Sequence, residues 1–121
     1  MINIGRHCAE FLHLQDRVTL VAQPFQEFIP TQVYTVVLSF ATHWTDDHYY
    51  RVCLQDHLLR IHSMMADDGL LVFESHSADV GNTEFYDALD EMRAYFSWEG
   101  PRLMAKGTRE LYLMRRKKGL K

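Results

Sequence analysis

The sequence predicts an α/β fold built on a mostly parallel sheet, with helices on both faces. Residues 33–40 are apolar on both faces of a strand, which is typical of a strand that helices cover from either side. A helical pattern follows over residues 45–65, and a second apolar strand is predicted over residues 70–74. This order and spacing of strand, helix and strand indicates crossover connections within a parallel sheet.

The first part of the chain is predicted to contain one short helix and one short strand. Residues 5–14 form the helix, and Cys8 lies on its apolar face, where a reduced thiol belongs to the core. Residues 18–22 are rich in β-branched side chains and are predicted to form the strand. Pro24 ends this strand because proline has no N–H to donate to a sheet.

The later helices and the last strand follow from periodic apolar residues. The central helix begins near Thr45, and Gly69 is placed to take a left-handed conformation after its end. Residues 81–83 open another helix, and residues 109–114 form the closing strand. The apolar stripes of the two helices consist of Leu54, Leu58, Ile61 and Met65 and of Phe85, Leu89, Met92 and Phe96.

Length and composition describe one ordinary globular domain over residues 1–121. Hydrophobic residues make up 47 % of the chain and its net charge is −3, so no nucleic-acid or membrane partner is expected. Two cysteines are too few for a disulfide framework, and no apolar run approaches the length of a membrane span, so we expect a cytoplasmic protein. Residues 115–118 are basic and are expected to form a solvated, partly frayed tail.

The predicted functional edge lies where the strands end, because parallel sheets bind ligands at the carboxyl ends of their strands. In this sequence those ends fall at residues 23–25, 39–44 and 74–77. Histidines and acids also crowd within residues 43–48. His57 and His62, however, are five residues apart on the central helix, off the spacing of three or four that paired metal ligands need. We therefore expect no metal site.

Several segments, in order, resemble class I S-adenosylmethionine-dependent methyltransferases. Residues 16–28 (DRVTLVAQPFQEF) are similar to the third strand of that family, and residues 34–44 (YTVVLSFATHW) to its fourth strand and the loop that follows. Residues 64–74 (MMADDGLLVFE) look like the family's LKPGGLLVFE segment, and residues 109–116 look like its antiparallel last strand. The resemblance covers nearly the whole chain, and it implies an incomplete Rossmann-like sheet with an antiparallel C-terminal strand.

The resemblance also implies a methyltransferase that uses S-adenosylmethionine. The net charge of −3 and the absence of a basic face favour a small-molecule acceptor. His43 is placed to act as a general base that takes a proton from the acceptor. The implied cofactor-binding residues are Gln23, Pro24, Phe25, Ser39, Phe40 and Ala41. The implied substrate-binding residues are Trp44, Glu74 and His76. The alternatives for the same positions are a packed or solvated loop histidine, a core tryptophan and a structural hydrogen-bonded pair of Glu74 with His76.

The sequence departs from the family pattern in ways that bear on cofactor binding. The family's first strand, glycine-rich loop and second strand would precede this sequence, and Pro24 stands where the family has an acid that hydrogen-bonds the adenine amino group. We therefore expect a truncated domain with weak or absent cofactor binding. We also expect the strand at residues 18–22 to pair beside the strand at residues 33–40, or a homodimer to cover an exposed sheet edge. The alternative function is a non-catalytic remnant of the fold that dimerises or binds a partner.

Overall fold

The computed structural model describes residues 2–14, 16–21, 25–40, 50–75 and 79–118. Contacts along the chain divide it into two compact units, residues 1–31 and residues 32–121. The described residues of the first unit form helix α1 (Ile2–Phe11) and a 3₁₀ turn (Phe25–Glu27). The prediction of a helix near residues 5–14 is confirmed, with both ends shifted toward the N-terminus.

Two predictions about the first unit are wrong. Residues 18–21 do not form a strand; the backbone N–H groups of Arg17 and Val18 both donate to the Leu14 carbonyl oxygen, at 2.8 and 2.9 Å, in a turn that follows α1. A β-branched run forms a strand only where a neighbouring strand accepts its hydrogen bonds, and Val18 and Val21 are exposed instead. Cys8 is also exposed, so its thiol is not part of a core.

The described residues of the second unit form a five-stranded sheet and two α-helices. The helices are α2 (Tyr50–Ser63) and α3 (Thr83–Glu91). The strands are β1 (Tyr34–Phe40), β2 (Met65–Glu74), β3 (Phe96–Ser97), β4 (Arg102–Met104) and β5 (Arg109–Arg116). The strand order is β1-β2-β5-β3, and β4 also pairs with β5. Because β1 and β2 are parallel and β5 is antiparallel to its neighbours, the predicted α/β class and antiparallel C-terminal strand are confirmed. The described sheet is mixed and not mostly parallel, since only the pairing of β1 with β2 is parallel within the described residues. One face of β1 is also not covered by a helix of the described residues, because Val36, Leu38 and Phe40 are exposed.

The core of this unit lies on one face of the sheet, beneath α2 and α3. Ser39, Phe73 and Tyr112 stand side by side across β1, β2 and β5, so their side chains share that face. Phe85 of α3 stacks on Phe73 with ring centroids 6.4 Å apart and also contacts the Tyr112 ring. The predicted stripes are confirmed as core, since these residues are buried: Leu54, Leu58, Ile61, Met65, Phe85, Leu89, Met92 and Phe96.

Helix α3 begins where the sequence predicts. Asn82 is its N-cap, and the Asn82 Oδ1 atom accepts hydrogen bonds from the backbone N–H groups of Glu84 and Phe85, at 2.9 and 3.3 Å. These bonds satisfy two of the donors that a helix start leaves without an internal partner. Of the helices in the described ranges, none is long and apolar enough to cross a bilayer.

Strand β2 begins five residues before its predicted start, and this changes the role of Gly69. The glycine does not end a helix in a left-handed conformation; it lies buried inside β2, and its neighbour Asp68 has the positive φ, 59°. A Cβ atom placed on Gly69 would lie 2.8 Å from the Ala66 carbonyl oxygen and 3.4 Å from that of Thr35. Glycine is therefore required here for space between backbones and not for its φ angle.

Replacing Gly69 with alanine should destabilise the protein. The added methyl group meets backbone oxygen atoms that cannot rotate away, so we expect the free energy of unfolding to fall by about 1–3 kcal/mol. Gly100→Ala is the matched control, because no atom of the described residues beyond its chain neighbours lies within 4 Å of the Cβ that it would add. Urea unfolding followed by circular dichroism measures both variants, and equal losses in the two would contradict this assignment of Gly69.

The basic run at residues 115–118 is not a frayed tail. Arg115 and Arg116 belong to β5, and Arg116 Nη1 lies 3.6 Å from a carboxylate oxygen of Asp67. Lys118 Nζ lies 2.9 Å from a carboxylate oxygen of Asp68. The two aspartates at the start of β2 therefore balance much of this positive charge. The expectation of a partly frayed tail is wrong because Arg115 and Arg116 belong to a central strand, whereas Arg115, Lys117 and Lys118 are solvent-exposed as expected.

His62 lies buried beside the same strand end. Its ring packs edge-on against Tyr95 and Phe96, with centroids 5.4 and 5.3 Å away, and Arg116 Nε donates to its Nε2 atom at 3.3 Å. Burial lowers the pKa of His62, the positive charge of Arg116 lowers it further, and Asp67 opposes both effects. The folded protein therefore favours the neutral imidazole.

The stability of the protein should decrease in acid partly through His62. Because folding lowers the pKa of His62, the unfolded chain takes up a proton at this histidine at a higher pH than the folded protein does. The neutral His62 therefore contributes to the free energy of unfolding above pH 6.5, and this contribution is lost as the pH falls below that value. His62→Gln removes the titrating group, so its unfolding free energy should fall less between pH 7.5 and pH 5.5 than that of the unchanged protein. Urea unfolding at both pH values tests this, and an equal fall in the two proteins would contradict it.

Candidate functional site

The carboxyl ends of β1 and β2 meet at one edge of the sheet. Phe40 lies in register with Glu74, and Ser39 with Phe73, so the predicted residues Ser39, Phe40 and Glu74 come together. Side chains alternate between the faces of a strand, which places Ser39 on the helix-covered face and Phe40 and Glu74 on the opposite face. The site therefore has two sides, one beneath the helices and one on the open face of the sheet.

Ser39 and His57 form a hydrogen-bonded pair on the helix-covered side. The Ser39 Oγ atom lies 3.0 Å from His57 Nε2, and the serine side chain is buried. Helix α2 places His57 over the end of β1, because the helix follows β1 in the chain and packs on that face. An imidazole next to a hydroxyl at a ligand-binding edge can exchange a proton with a bound group through that hydroxyl.

An ion pair occupies the open side of the same edge. Arg109 Nη1 lies 2.9 Å from a carboxylate oxygen of Glu74, and both side chains are only partly exposed. Arg109 begins β5 directly beside the end of β2, so the antiparallel register brings the two charges together across 35 residues of sequence. Glu74 therefore has a charged partner from β5, and the predicted substrate-binding role competes with this pairing.

A buried carboxylate with two phenol partners lies at the same edge. Glu110 Oε1 accepts hydrogen bonds from the phenol groups of Tyr86, at 2.8 Å, and Tyr112, at 3.2 Å. The Tyr86 oxygen also accepts a hydrogen bond from the backbone N–H of Gly81, at 3.0 Å. Because a buried charge is tolerated only with such partners, the two phenols hold the Glu110 carboxylate in place beneath α3.

The backbone closes the edge between β2 and β5. Ser75 directly follows β2, and its N–H donates to the Glu110 carbonyl oxygen at 2.9 Å. The Ser75 hydroxyl oxygen in turn accepts from the Glu110 N–H, also at 2.9 Å. Both residues are buried, so this pair of bonds fixes where the Glu110 side chain starts.

The two phenols act as hydrogen-bond donors over the whole physiological pH range. Burial raises the pKa of Tyr112 far above its usual value, and the charge of Glu110 raises it further. Burial also raises the pKa of Tyr86, where the hydrogen bond from Gly81 acts in the opposite direction and Glu110 adds to the rise. Both phenols therefore remain protonated and donate to the carboxylate.

The other predicted site residues lie in the first unit or outside the described residues. Phe25 lies in the 3₁₀ turn of the first unit, where its side chain is half-buried. The predicted positions outside the described residues are Gln23, Pro24, Ala41, His43, Trp44 and His76. Within the described ranges, no group of three acidic, histidine or cysteine side chains is arranged to hold a metal ion.

Sequence reasoning missed the partners of the predicted residues. His57 follows Leu54 by three residues and precedes Ile61 by four, so it falls on the buried stripe of α2, and this polar residue in an apolar stripe was the available signal. Glu110 alternates with Tyr112 and Met114 on the inner face of β5, where a carboxylate needs a partner. Neither signal identifies the partner.

Replacing Tyr86 with phenylalanine should destabilise the protein by about 1–2 kcal/mol, because Glu110 loses a hydrogen bond to its buried charge. Tyr95→Phe is the matched control, since no hydrogen bond of its hydroxyl group is found within the described ranges, and its loss should stay within about 0.5 kcal/mol. Thermal and urea unfolding compare the two variants. Equal stabilities would mean that the phenol does not support the carboxylate.

Comparisons with known proteins identify the fold. No protein-family model matches the chain, and neither does any curated protein. Two crystal structures of the N-methyltransferase NodS from Bradyrhizobium japonicum WM9 share 14 % sequence identity with it, with TM-scores of 0.63 and, for the complex with S-adenosyl-L-homocysteine, 0.66. Each match covers 95 % of this chain, which spans 68 % and 61 % of those two chains. The described chain therefore has the fold of a class I methyltransferase over most of its length.

Proposed function

We propose that this chain is part of an S-adenosylmethionine-dependent methyltransferase that binds the cofactor at the carboxyl edge of β1 and β2. The observation that carries the proposal is the likeness, over 95 % of the chain, to an N-methyltransferase crystallised with S-adenosyl-L-homocysteine. The polar groups at this edge support it, because open α/β sheets bind ligands at the carboxyl ends of their strands.

The proposed chemistry is displacement at a methyl carbon. When bound, S-adenosylmethionine supplies a methyl group activated by a positively charged sulfur. The chain orients the acceptor in line with that group and takes the proton that the acceptor releases. His43 is the proposed base, and the Ser39–His57 pair offers a second route for a proton at the end of the same strand.

A small-molecule acceptor agrees with the charge distribution of the chain. The net charge is −3, and the one basic run, at residues 115–118, lies beside Asp67 and Asp68 in the folded protein. A long polyanion would need a continuous positive surface. A small, neutral or cationic acceptor does not need such a surface.

The described side chains fit the cofactor only in part. Ser39 shares a hydrogen bond with His57, Glu74 pairs with Arg109, and Glu110 accepts from two phenols. A ligand has to compete with these internal bonds, because a polar group that already has a partner gains little by exchanging it. The partly exposed ring of Phe40 stands at the same edge and offers apolar contact area. We therefore propose weak binding.

Titration with S-adenosyl-L-homocysteine, followed by amide NMR shifts, tests the proposal. We expect saturable shifts at residues 38–40 and 74–75 with a dissociation constant of roughly 0.1–1 mM. Phe40→Ala should weaken the binding by about fivefold, because it removes a ring at the proposed edge.

Leu103→Ala is the matched control for the titration. Leu103 is a similarly exposed apolar side chain on β4, which lies beyond β5 at the lateral edge of the sheet opposite β1. It should leave the affinity unchanged. No shifts at about 10 mM ligand, or equal weakening by both variants, would contradict the proposed cofactor site.

A second candidate function is a non-catalytic member of the fold that acts through a protein partner. It is favoured by the same internal bonds, which account for Ser39, Glu74 and Glu110 without any ligand. The titration separates the two candidates, because only the first requires a response to the cofactor product.

A further inference from the structure

Strand β3 is held to the sheet by a short pairing. It consists of Phe96–Ser97 and lies against the last residues of β5. One further backbone hydrogen bond follows, from the Lys117 N–H to the Tyr95 carbonyl oxygen at 2.9 Å. A ladder of two residues is far shorter than the usual five or six, so the attachment of β3 depends strongly on what its side chains contact.

The side chains of this segment close over His62. The phenol ring of Tyr95 and the ring of Phe96 both pack edge-on against the imidazole, and Phe96 is fully buried. On its other side the histidine is carried by α2, which buries Leu58 and Ile61 in the core. The helix is therefore fixed by its own packing, and β3 is the partner that can separate from the imidazole.

The hydrogen bond between Arg116 and His62 requires a neutral imidazole. Arg116 Nε donates to His62 Nε2 at 3.3 Å, so this ring nitrogen has to present a lone pair. The guanidinium group carries its charge at every pH that the fold can meet. A proton on His62 Nε2 would therefore set two donors and two positive charges against each other, at the residue of β5 that pairs with β3.

The other groups around this contact hold Arg116 in place. Its Nη1 atom donates to the Met65 carbonyl oxygen and lies 3.6 Å from a carboxylate oxygen of Asp67, both at the start of β2. The charge of Asp67 opposes that of Arg116 at His62 but acts more weakly. Lys117 comes next along the chain, and its ammonium group donates to a carbonyl oxygen of the turn that follows α3. Repulsion from a protonated His62 therefore acts on a guanidinium that is already bound to β2.

We propose that protonation of His62 releases β3 from β5 while the rest of the second unit stays folded. The opening is local and exposes the ring of Phe96, because only the two-residue pairing and the packing on the imidazole have to be broken. His62 is thus an acid-sensitive switch, at the end of the sheet away from Glu74 and the candidate site. The proposal assigns the response to acid to one element of the fold, and it is independent of cofactor binding.

Amide hydrogen exchange of the whole chain, measured by NMR, tests the proposal. The Lys117 N–H reports on β3 because it donates to Tyr95. The Ser75 N–H reports on the opposite end of β5, where it donates to the Glu110 carbonyl oxygen. Between pH 7.5 and pH 5.5 the protection factor of Lys117 should fall by about five- to tenfold, close to the limit for one histidine proton. At pH 5.5, about 1 M urea should lower the protection factor of Ser75 and leave that of Lys117 unchanged, since a local opening exposes little surface.

His62→Gln should abolish the pH dependence of the Lys117 protection factor, because glutamine is polar and does not titrate. His57→Gln is the matched control, since it removes the other histidine of α2, and it should keep the dependence. Three results would overturn the proposal: a Lys117 protection factor that does not change with pH, one that falls with urea as that of Ser75 does, or a pH dependence that persists in H62Q or disappears in H57Q. The first two need no variant, so the test holds even if H62Q does not fold.

Discussion

The two-sided pairing of β2 is the constraint on which the rest of the second unit depends. Strand β2 is parallel to β1 and antiparallel to β5, so one register sets which residues of three strands stand side by side. It places Phe73 against Phe85 and Tyr112 in the core, and Glu74 against Arg109 at the edge. A slip of one residue would turn every one of these side chains to the opposite face. The register of β2 with its two neighbours therefore determines both the core and the candidate site.

Parts of the fold were predictable because buried apolar residues recur in the sequence at the period of a helix or a strand. The stripes of α2 and α3 and the apolar run of β1 were found in this way, and so was the start of α3, which depends only on the local chemistry of Asn82. The strand predicted at residues 18–22 failed because a strand exists only with a neighbour. The early start of β2 was missed for a related reason, since its first residue pairs with Tyr34, far away in sequence.

The candidate site was predictable to the same extent. The rule that strand ends carry ligands identified Ser39 and Glu74, and it needs nothing beyond the order of the strands. Their partners come from other elements: His57 is 18 residues from Ser39, and Arg109 is 35 residues from Glu74. Only the packing of α2 and the register of β5 create those pairs. The resulting edge is internally bonded, which holds its geometry rigid and leaves fewer groups for a ligand.

The central position of β5 has a consequence for how the chain acquires its structure. Residues 109–116 lie between β2 on one side and β3 and β4 on the other, and all three of those strands come earlier in the sequence. During synthesis, the side of β2 that pairs with β5 therefore lacks its hydrogen-bonding neighbour until some 35 further residues have been added. Strands β1 and β2 and helices α2 and α3 can assemble before then, whereas β3 and β4 pair with β5 and need it in place. The sheet closes in a late step, when the final strand inserts between segments that are already made, as expected for a topology rich in distant contacts.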